Sequence, residues 1–422
     1  MEPLDASIRG LPLSKLRAGS LIASAVIRTL TSDAGSAATG RPARARVVVV
    51  GAGAIGLAVA LQLRRAGVDD VVVIDRNSSA GMGSTSRANG GVRAQFTTPV
   101  NIVFSQFTIE KLRELHELSA GQVGFKRVGY LFLTGSDAGE VALRRAWELQ
   151  RSLGVDVEWL SAAGVIEKAP FVDVDGLAAA TFCASDGLID PHGVASALSA
   201  EARRLGTRFV FDTEVVSVAA GPPRVRTTTG DIETEFVVNA AGPFACALAA
   251  TAGIDLPVVT RRRNLACTER VPGIAGDIPM CVDNDTGVLI RREGAGFLIG
   301  FSDPGDPPST DTGFDPAFLD AIAARVGNRF PFLEDVPISP RKCWAGLYPE
   351  TPDHHAIVDA PAQLPWFIQC AGFGGHGIMH SFAAGQAVTE LITESRCTTF
   401  DLHPLRLNRF DEPGAMVETA VL

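Results

Sequence analysis

Val47-Val48-Val49-Val50-Gly51-Ala52-Gly53-Ala54-Ile55-Gly56, followed by an apolar helical stretch and then Val71-Val72-Val73-Ile74-Asp75-Arg76, reads as strand, glycine turn, helix, second strand and a terminal acid. In that order these elements make a dinucleotide-binding βαβ unit. Gly51 turns the chain, Gly53 lets the backbone approach a pyrophosphate, and Gly56 lets helix and strand pack closely. The phosphates belong at the helix N-terminus, where unpaired N–H groups and the helix dipole favour anions. Asp75 follows Gly56 by 19 positions, close to the roughly 20 expected of a carboxylate that accepts ribose hydroxyls. An acid there also repels a 2′-phosphate. Val47 to Leu63 carries no charge and approaches the length of a membrane span. Three glycines interrupt it and arginines flank both ends, so the expectation is a soluble chain with no transmembrane segment.

A chain of 422 residues is long enough for two or three domains. Its formal charge of −9, with no basic run, argues against nucleic acid as a partner. The seven cysteines (Cys183, Cys246, Cys267, Cys281, Cys343, Cys370 and Cys397) are scattered, odd in number and never spaced C-x-x-C. They signal neither a disulfide framework nor a zinc site, which makes a reducing cytoplasm the default compartment. Before residue 46 there is no strand signal, only a possible amphipathic helix from Leu13 to Leu30 and a small-residue stretch from Thr31 to Gly40.

Gly81 to Phe96 is a loop of glycines and hydroxyls, as expected of backbone held against a ligand. Helical spacing recurs from Asn101 to Ser119, Gly139 to Leu153, Ala162 to Lys168 and Asp190 to Arg204. Strand patterns fall at 128–133, 178–182, 208–211, 214–218 and 224–228, with another in Phe236-Val237-Val238-Asn239 before the turn Ala240-Ala241-Gly242-Pro243. From Leu256 to Gly346 short strands alternate around one helix, Pro316 to Val326, as in a separate sheet. A final strand, 366–371, enters Gly372-Phe373-Gly374-Gly375-His376-Gly377 and a helix from Ile378 to Thr393.

These motifs, with Tyr348-x-x-Thr351-Pro352-Asp353, resemble in content and order the FAD-dependent D-amino-acid oxidase superfamily, in particular its sarcosine oxidase, dimethylglycine dehydrogenase and proline dehydrogenase β-subunit group. The resemblance spans about residues 46 to 395. It implies an α/β protein in which a Rossmann-like FAD-binding domain (46–125, 183–255 and 347–395) is interleaved with an α+β, mixed-sheet substrate domain (126–182 and 256–346). Residues 1–45 would be an extension, disordered or a surface helix, and 396–422 a tail. The implied chemistry is oxidation of a C–N bond of an amine or N-substituted amino acid by hydride transfer to flavin N5, the imine then hydrolysing. The cofactor does the redox work and the protein supplies position and electrostatics.

Carried over by position, Gly51, Gly53, Ala54, Ile55, Gly56, Asp75, Arg76 and Val215 would hold the ADP half of FAD. Ser84, Thr85, Ser86, Arg87, Asn89, Gly90, Gly91, Ala241 and Gly242 would line the pyrophosphate, ribityl chain and ring, with Gly346 near the ring edge. Gly372, Gly374, Gly375, His376, Gly377, Ile378 and Met379 would place N–H groups near the pyrimidine. Arg93 stands where the family binds the substrate carboxylate, a role suited to a guanidinium fork. Tyr348 matches a substrate-pocket tyrosine, and His376 would tune the flavin or hydrogen-bond substrate.

The chain departs from the family at several of these positions. Gly346 occupies the place of a flavin-linking cysteine, with Cys343 three residues too early, and Arg87 the place of a flavin-linking histidine; both point to non-covalent FAD. Leu298 replaces a lysine that promotes reaction with oxygen, which leaves O2 or an electron carrier as acceptor and tilts towards the carrier. Met379 replaces a second substrate-binding lysine, a loss that Arg291 or Arg292 would have to make good. The pair His376 and His380 has helical metal-ligand spacing but no accompanying acid, so no metal is expected. Two other readings survive on sequence alone, a 2-hydroxy-acid dehydrogenase and a non-catalytic flavoprotein assembly factor; homo- or hetero-oligomers fit either.

Overall fold

The four valines at 47–50 are fully or nearly fully buried, as suits the centre of a parallel sheet with both faces covered. The computed structural model describes residues 42–422 except 220, 275, 304, 415, 421 and 422, so the possible helix from Leu13 to Leu30 lies outside the described residues. Ala43–Leu422 form a single unit.

Val47–Val50 lies inside a six-stranded sheet, flanked on one side by Val71–Ile74 and then Arg208–Val210, on the other by Phe236–Asn239, Phe367–Ala371 and Ile357–Asp359. Every neighbouring pair is parallel except the last. The chain leaves Val47–Val50 towards one edge and later returns to its other side. That reversal opens a crevice beyond the carboxyl ends of the strands, where such sheets bind ligands. Helix Ala54–Arg65 covers one face together with the last helix, Gly377–Glu394. The two helices approach so closely at Gly385 that a Cβ there would lie 2.8 Å from the Ala58 carbonyl oxygen.

The second sheet is mixed and has eight strands: Trp344–Glu350, Val259–Cys267, Gly296–Gly300, Leu289–Glu293, Met280–Asp283, Tyr130–Thr134, Ala179–Cys183 and Val157–Leu160, in spatial order. Its one parallel pair joins Met280–Asp283 to Tyr130–Thr134. An antiparallel three-stranded sheet (Val215–Ala219, Arg224–Thr227, Gly230–Glu233) and the small pair Gly91–Val92 with Gly187–Leu188 complete the described strands.

The helices follow the spacing pattern, and capping sets their starts. Pro99 and Pro191 open two of them at the first turn, where a missing N–H costs nothing. Ser136 and Asp190 accept N–H bonds from Gly139 and His192 at the N-termini of Asp137–Ser152 and Pro191–Arg204. The helix read over 316–326 is shorter than expected: α-helix spans Ala317–Ala323, and a 3-10 turn follows at Val326–Asn328. Glycine at 327 and Pro331 disfavour continuing the α-helical ladder. The uncharged Val47–Leu63 stretch is a strand and a helix rather than one span, and no described helix is long and apolar enough to cross a membrane.

Candidate functional site

Gly51 has φ +108°, and a Cβ on it would lie 2.3 Å from the Ala240 carbonyl oxygen. Only glycine meets both demands. A Cβ on Gly56 would lie 1.9 Å from the Gly51 carbonyl oxygen, so this residue is what lets Ala54–Arg65 start directly over the turn. Gly53 is the helix N-cap and offers no side-chain cap; the first-turn residues Ala54, Ile55 and Gly56 therefore present backbone, not side chains, to the crevice. The Ala54 N–H donates to Thr85 Oγ1 at 3.0 Å, tying the following loop to this turn.

Asp75 leaves the end of Val71–Ile74 and accepts the Ala52 N–H at 2.7 Å, while its other oxygen accepts both nitrogens of Asn77. The carboxylate thus stands beside the glycine turn. Arg76 lays its guanidinium over the Phe244 ring at 3.6 Å, in the turn that begins at Ala241-Gly242. Val215 starts the three-stranded sheet two residues after Thr213, whose N–H donates to the Asp75 carbonyl. Asn239 at the end of its strand is fully buried, bonding Gln369 and the Ala245 carbonyl, and so holds the 240–242 turn against Gly51.

The 84–91 segment connects the two sheets. Ser84 Oγ donates to the Leu347 carbonyl at 2.8 Å and Trp344 Nε1 to the Arg87 carbonyl at 2.9 Å. Arg87 sends its guanidinium to the Ala345 and Thr312 carbonyls, and its Cβ would lie 3.2 Å from a Cβ on Gly346. The Ser86 hydroxyl donates to the Gly83 carbonyl at the surface, and its N–H to the Gly81 carbonyl. The Asn89 side chain accepts the Gly91 N–H, and Gly90 takes φ +81° against Ile189.

The last glycine turn is packed against Tyr348 of the eight-stranded sheet and Thr351 just beyond it. Gly372 has φ +74° with Thr351 2.7 Å from its Cβ position, and a Cβ on Gly375 would lie 2.5 Å from the Tyr348 ring. His376 is the N-cap of Gly377–Glu394 and gives no side-chain cap, so the first turn, Gly377, Ile378 and Met379, offers an open dipole end. His376 is buried edge-to-face on Phe96 at 4.9 Å. Burial first, then the Arg93 charge, hold its pKa well below the usual histidine value, so the ring is neutral at pH 7. His380 turns towards the same Phe96 and Phe104, and its Nε2 is buried without a partner among the described residues.

Arg93 is 1 % exposed and lies over the Phe96 ring at 4.0 Å. Its Nη1 donates to the Gln95 carbonyl and its Nη2 to the Ala420 carbonyl. A guanidinium has five N–H donors, so three remain without a protein acceptor among the described residues. Burial lowers its pKa, opposed by the fields of Tyr130, Glu418, Asp186 and Tyr348. No carboxylate forms a direct ion pair with it among the described residues.

Tyr130 and Tyr348 are the chain's two tyrosines, and both interact electrostatically with Arg93 and with each other. Burial pushes both phenols up, and neither hydroxyl bonds a described residue. Asp186, fully buried, accepts the Ala94 N–H and Gln95 Nε2 and so braces the Arg93 loop; burial raises its carboxyl to about 6. Arg291 and Arg292 separate by strand alternation. Arg291 shares the side of Tyr130, whereas Arg292 reaches the Ile274 carbonyl and stacks near Phe297 in the opposite core. Leu298 is fully buried opposite Arg291, and Met379 is buried in the last helix's first turn.

The structure therefore brings Arg93, Tyr348, His376 and the 372–379 turn together, and separately gathers the 51–56 turn, Asp75 and Ala241-Gly242. Tyr130, Asp186 and Glu418 join the Arg93 cluster unannounced by any local motif. The rarity of tyrosine was the one available signal for Tyr130.

Gly51, Gly56, Gly372 and Gly375 leave no room for a side chain, and neither helix is capped by the side chain of its own N-cap residue, a donor set that fits the two phosphates and the ring of a flavin dinucleotide. The family model described as FAD dependent oxidoreductase matches residues 46–391. The chain is 28 % identical to FAD-dependent oxidoreductase domain-containing protein 1 of Xenopus laevis, over 90 % of this chain and 85 % of that protein. It is 27 % identical to the mitochondrial sarcosine dehydrogenase of Homo sapiens, over 87 % of this chain and 42 % of that longer protein. The crystal structure of L-proline dehydrogenase from P. horikoshii superposes with a TM-score of 0.81 at 28 % identity, covering 88 % of this chain and 99 % of that one. The chain belongs to the FAD dependent oxidoreductase family, an α/β flavoenzyme fold with a second, mixed sheet.

Proposed function

We propose that this protein oxidises the C–N bond of an amine that carries a carboxylate, with a secondary amino acid as the favoured class. The observation that carries this reading is Arg93: a buried cation with three donors that bond no described residue, beside the turn expected to hold the flavin ring. Burying such a charge unpaired is costly, and a bidentate carboxylate satisfies it. The names of two relatives, sarcosine dehydrogenase and L-proline dehydrogenase, both carry secondary amino acids.

The two glycine turns would hold FAD, which when bound would supply the hydride acceptor. The protein's part is to present the substrate. Arg93 holds its carboxylate, the Tyr348 and Tyr130 hydroxyls, which bond no described residue, can accept or donate, and the aromatic faces of Phe96 and Phe132 lie against the guanidinium. The cation and the dry surroundings disfavour the ammonium form, leaving the nitrogen lone pair available. His376, held neutral, adds no competing positive charge. FAD is bound non-covalently in this reading, because Gly346 offers no nucleophile and the Arg87 side chain is committed to the Ala345 and Thr312 carbonyls. The fully buried Leu298 in place of an oxygen-activating lysine favours an electron carrier over O2 as acceptor.

The test is the visible spectrum of FAD-loaded protein under anaerobic conditions while N-methyl amino acids, proline, D-amino acids and 2-hydroxy acids are added in turn. Bleaching by an amino acid is the expected result. Bleaching by hydroxy acids alone, or a flavin that no amine reduces, overturns the proposal.

A further inference from the structure

Residues 418–420 do not trail into solvent. Met416 and Val417 are about half exposed, and then Glu418 disappears from the surface entirely. Its carboxylate accepts the Thr97 N–H (3.0 and 3.2 Å to the two oxygens), the Thr97 hydroxyl (2.5 Å), the Thr98 hydroxyl (2.8 Å), Asn101 Nδ2 (3.1 Å) and the Ala420 N–H (2.9 Å). The backbone is held as well: the Glu418 N–H donates to the Asp353 carbonyl at 3.0 Å, and the Thr419 N–H to Thr97 Oγ1 at 3.1 Å. A buried carboxylate is tolerated only when its lone pairs are used, and here they are. Thr98 also bonds His355 Nε2 at 3.0 Å, so the anchor is continuous with the loop after Trp344–Glu350.

Two residues beyond this anchor, the Ala420 carbonyl accepts a hydrogen bond from Arg93 Nη2. The Gln95 carbonyl takes one from Nη1. Two fixed acceptors on a planar fork determine both the position and the plane of the guanidinium. They also leave three donors without an acceptor among the described residues, enough for the two parallel bonds a carboxylate makes.

We propose that residues 417–420 are a built part of the substrate site, and that Glu418 is a positioning residue: it docks the tail so that the Ala420 carbonyl aims Arg93 at the substrate carboxylate. This rests on the reading of Arg93 as the carboxylate clamp. Glu418 touches no substrate in this scheme; its field reaches Arg93, but its carboxylate bonds only the 97–101 segment and the tail among the described residues. Pre-setting the fork removes an ordering cost that would otherwise fall on each binding event.

The test compares wild type, Glu418→Ala and a chain ending at Gly414, all loaded with FAD. The readout is the dissociation constant of 2-furoate, and of uncharged 2-furamide as control, from perturbation of the flavin spectrum. Both variants are expected to keep FAD and bind furamide as wild type does, while furoate weakens about 10- to 100-fold, as for loss of a charge-assisted contact. In turnover with a carboxylate-bearing amine, KM rises more than kcat falls. Unchanged furoate affinity in both variants overturns the role of the tail while leaving the Arg93 reading intact. Loss of FAD from both variants also contradicts it, because the tail's contacts lie on the carboxylate side. Wild type that binds furoate no better than furamide removes the Arg93 reading, and the proposal with it.

Discussion

The cradle around Gly51–Gly56 and the cluster around Arg93 are built on opposite principles. In the cradle nearly every essential feature is the absence of an atom: a Cβ that would strike Ala240 or Gly51, a helix start left uncapped. In the cluster every feature is a side chain supplied from far away, Arg93 from a loop, Tyr130 and Tyr348 from the second sheet, His376 from the last helix and Glu418 from the chain end. Backbone cradles depend on local sequence order. Side-chain clusters depend on the whole fold having formed.

The difference can be broken most severely at Gly56. With 1.9 Å between its Cβ position and a backbone oxygen, Gly56→Val is expected to abolish FAD retention and cost more than about 3 kcal/mol of stability, since backbone cannot yield as a side chain can. Flavin content after purification and a thermal melt check this. A yellow protein of normal stability would mean the cradle is far softer than its geometry.

In the cluster the comparable lever is charge. Asp186 has its pKa raised from 3.8 to about 6 by burial, so the folded chain binds that proton more tightly than the unfolded chain does. Its contribution to stability therefore grows as pH falls from above 6 towards 4, and above 6 the ionised, buried carboxylate costs up to about 3 kcal/mol. Asp186→Asn should be relatively most stable at pH 7, keep about half of that advantage at pH 5 and lose most of it by pH 4. Parallel melting curves for the two proteins across this range would contradict it.

Two smaller effects sharpen the contrast. Asp75→Asn keeps the shape but removes the charge that holds the Ala52 N–H, and is expected to weaken FAD about 10-fold in equilibrium titration. Gly53→Ala, whose Cβ meets only the movable Thr85 hydroxyl at 3.3 Å, should cost less than about 1 kcal/mol and leave FAD bound. A Gly53→Ala protein as damaged as Gly56→Val would show that close phosphate approach, not helix packing, limits the turn.

Legibility in sequence follows the same division. The strands at 47–50 and 71–74, the helix between them and the last glycine turn were readable because each is decided by neighbours within a few residues. Helix ends shifted where a cap intervened, as at Ser136 and Pro99, and the 316–326 helix ended early near Gly327. Arg93, Tyr348 and His376 were reached through family resemblance, not from any pattern of their own. Tyr130, Asp186 and Glu418 were not reached at all: the bond from Arg93 to the tail spans 327 positions, and no local period encodes it. Tyr130 looked like one more apolar strand residue, and Glu418 like a charge on a tail.

The most direct test of the central claim is Arg93→Met, measured with the best-reducing amino acid and with its decarboxylated amine. The account predicts full FAD retention, a KM for the amino acid raised about 10- to 100-fold, and little change for the amine, because the lost contact is a charge-assisted pair made only with a carboxylate. Equal losses for both substrates, or an amino-acid KM left at the wild-type value, would contradict it.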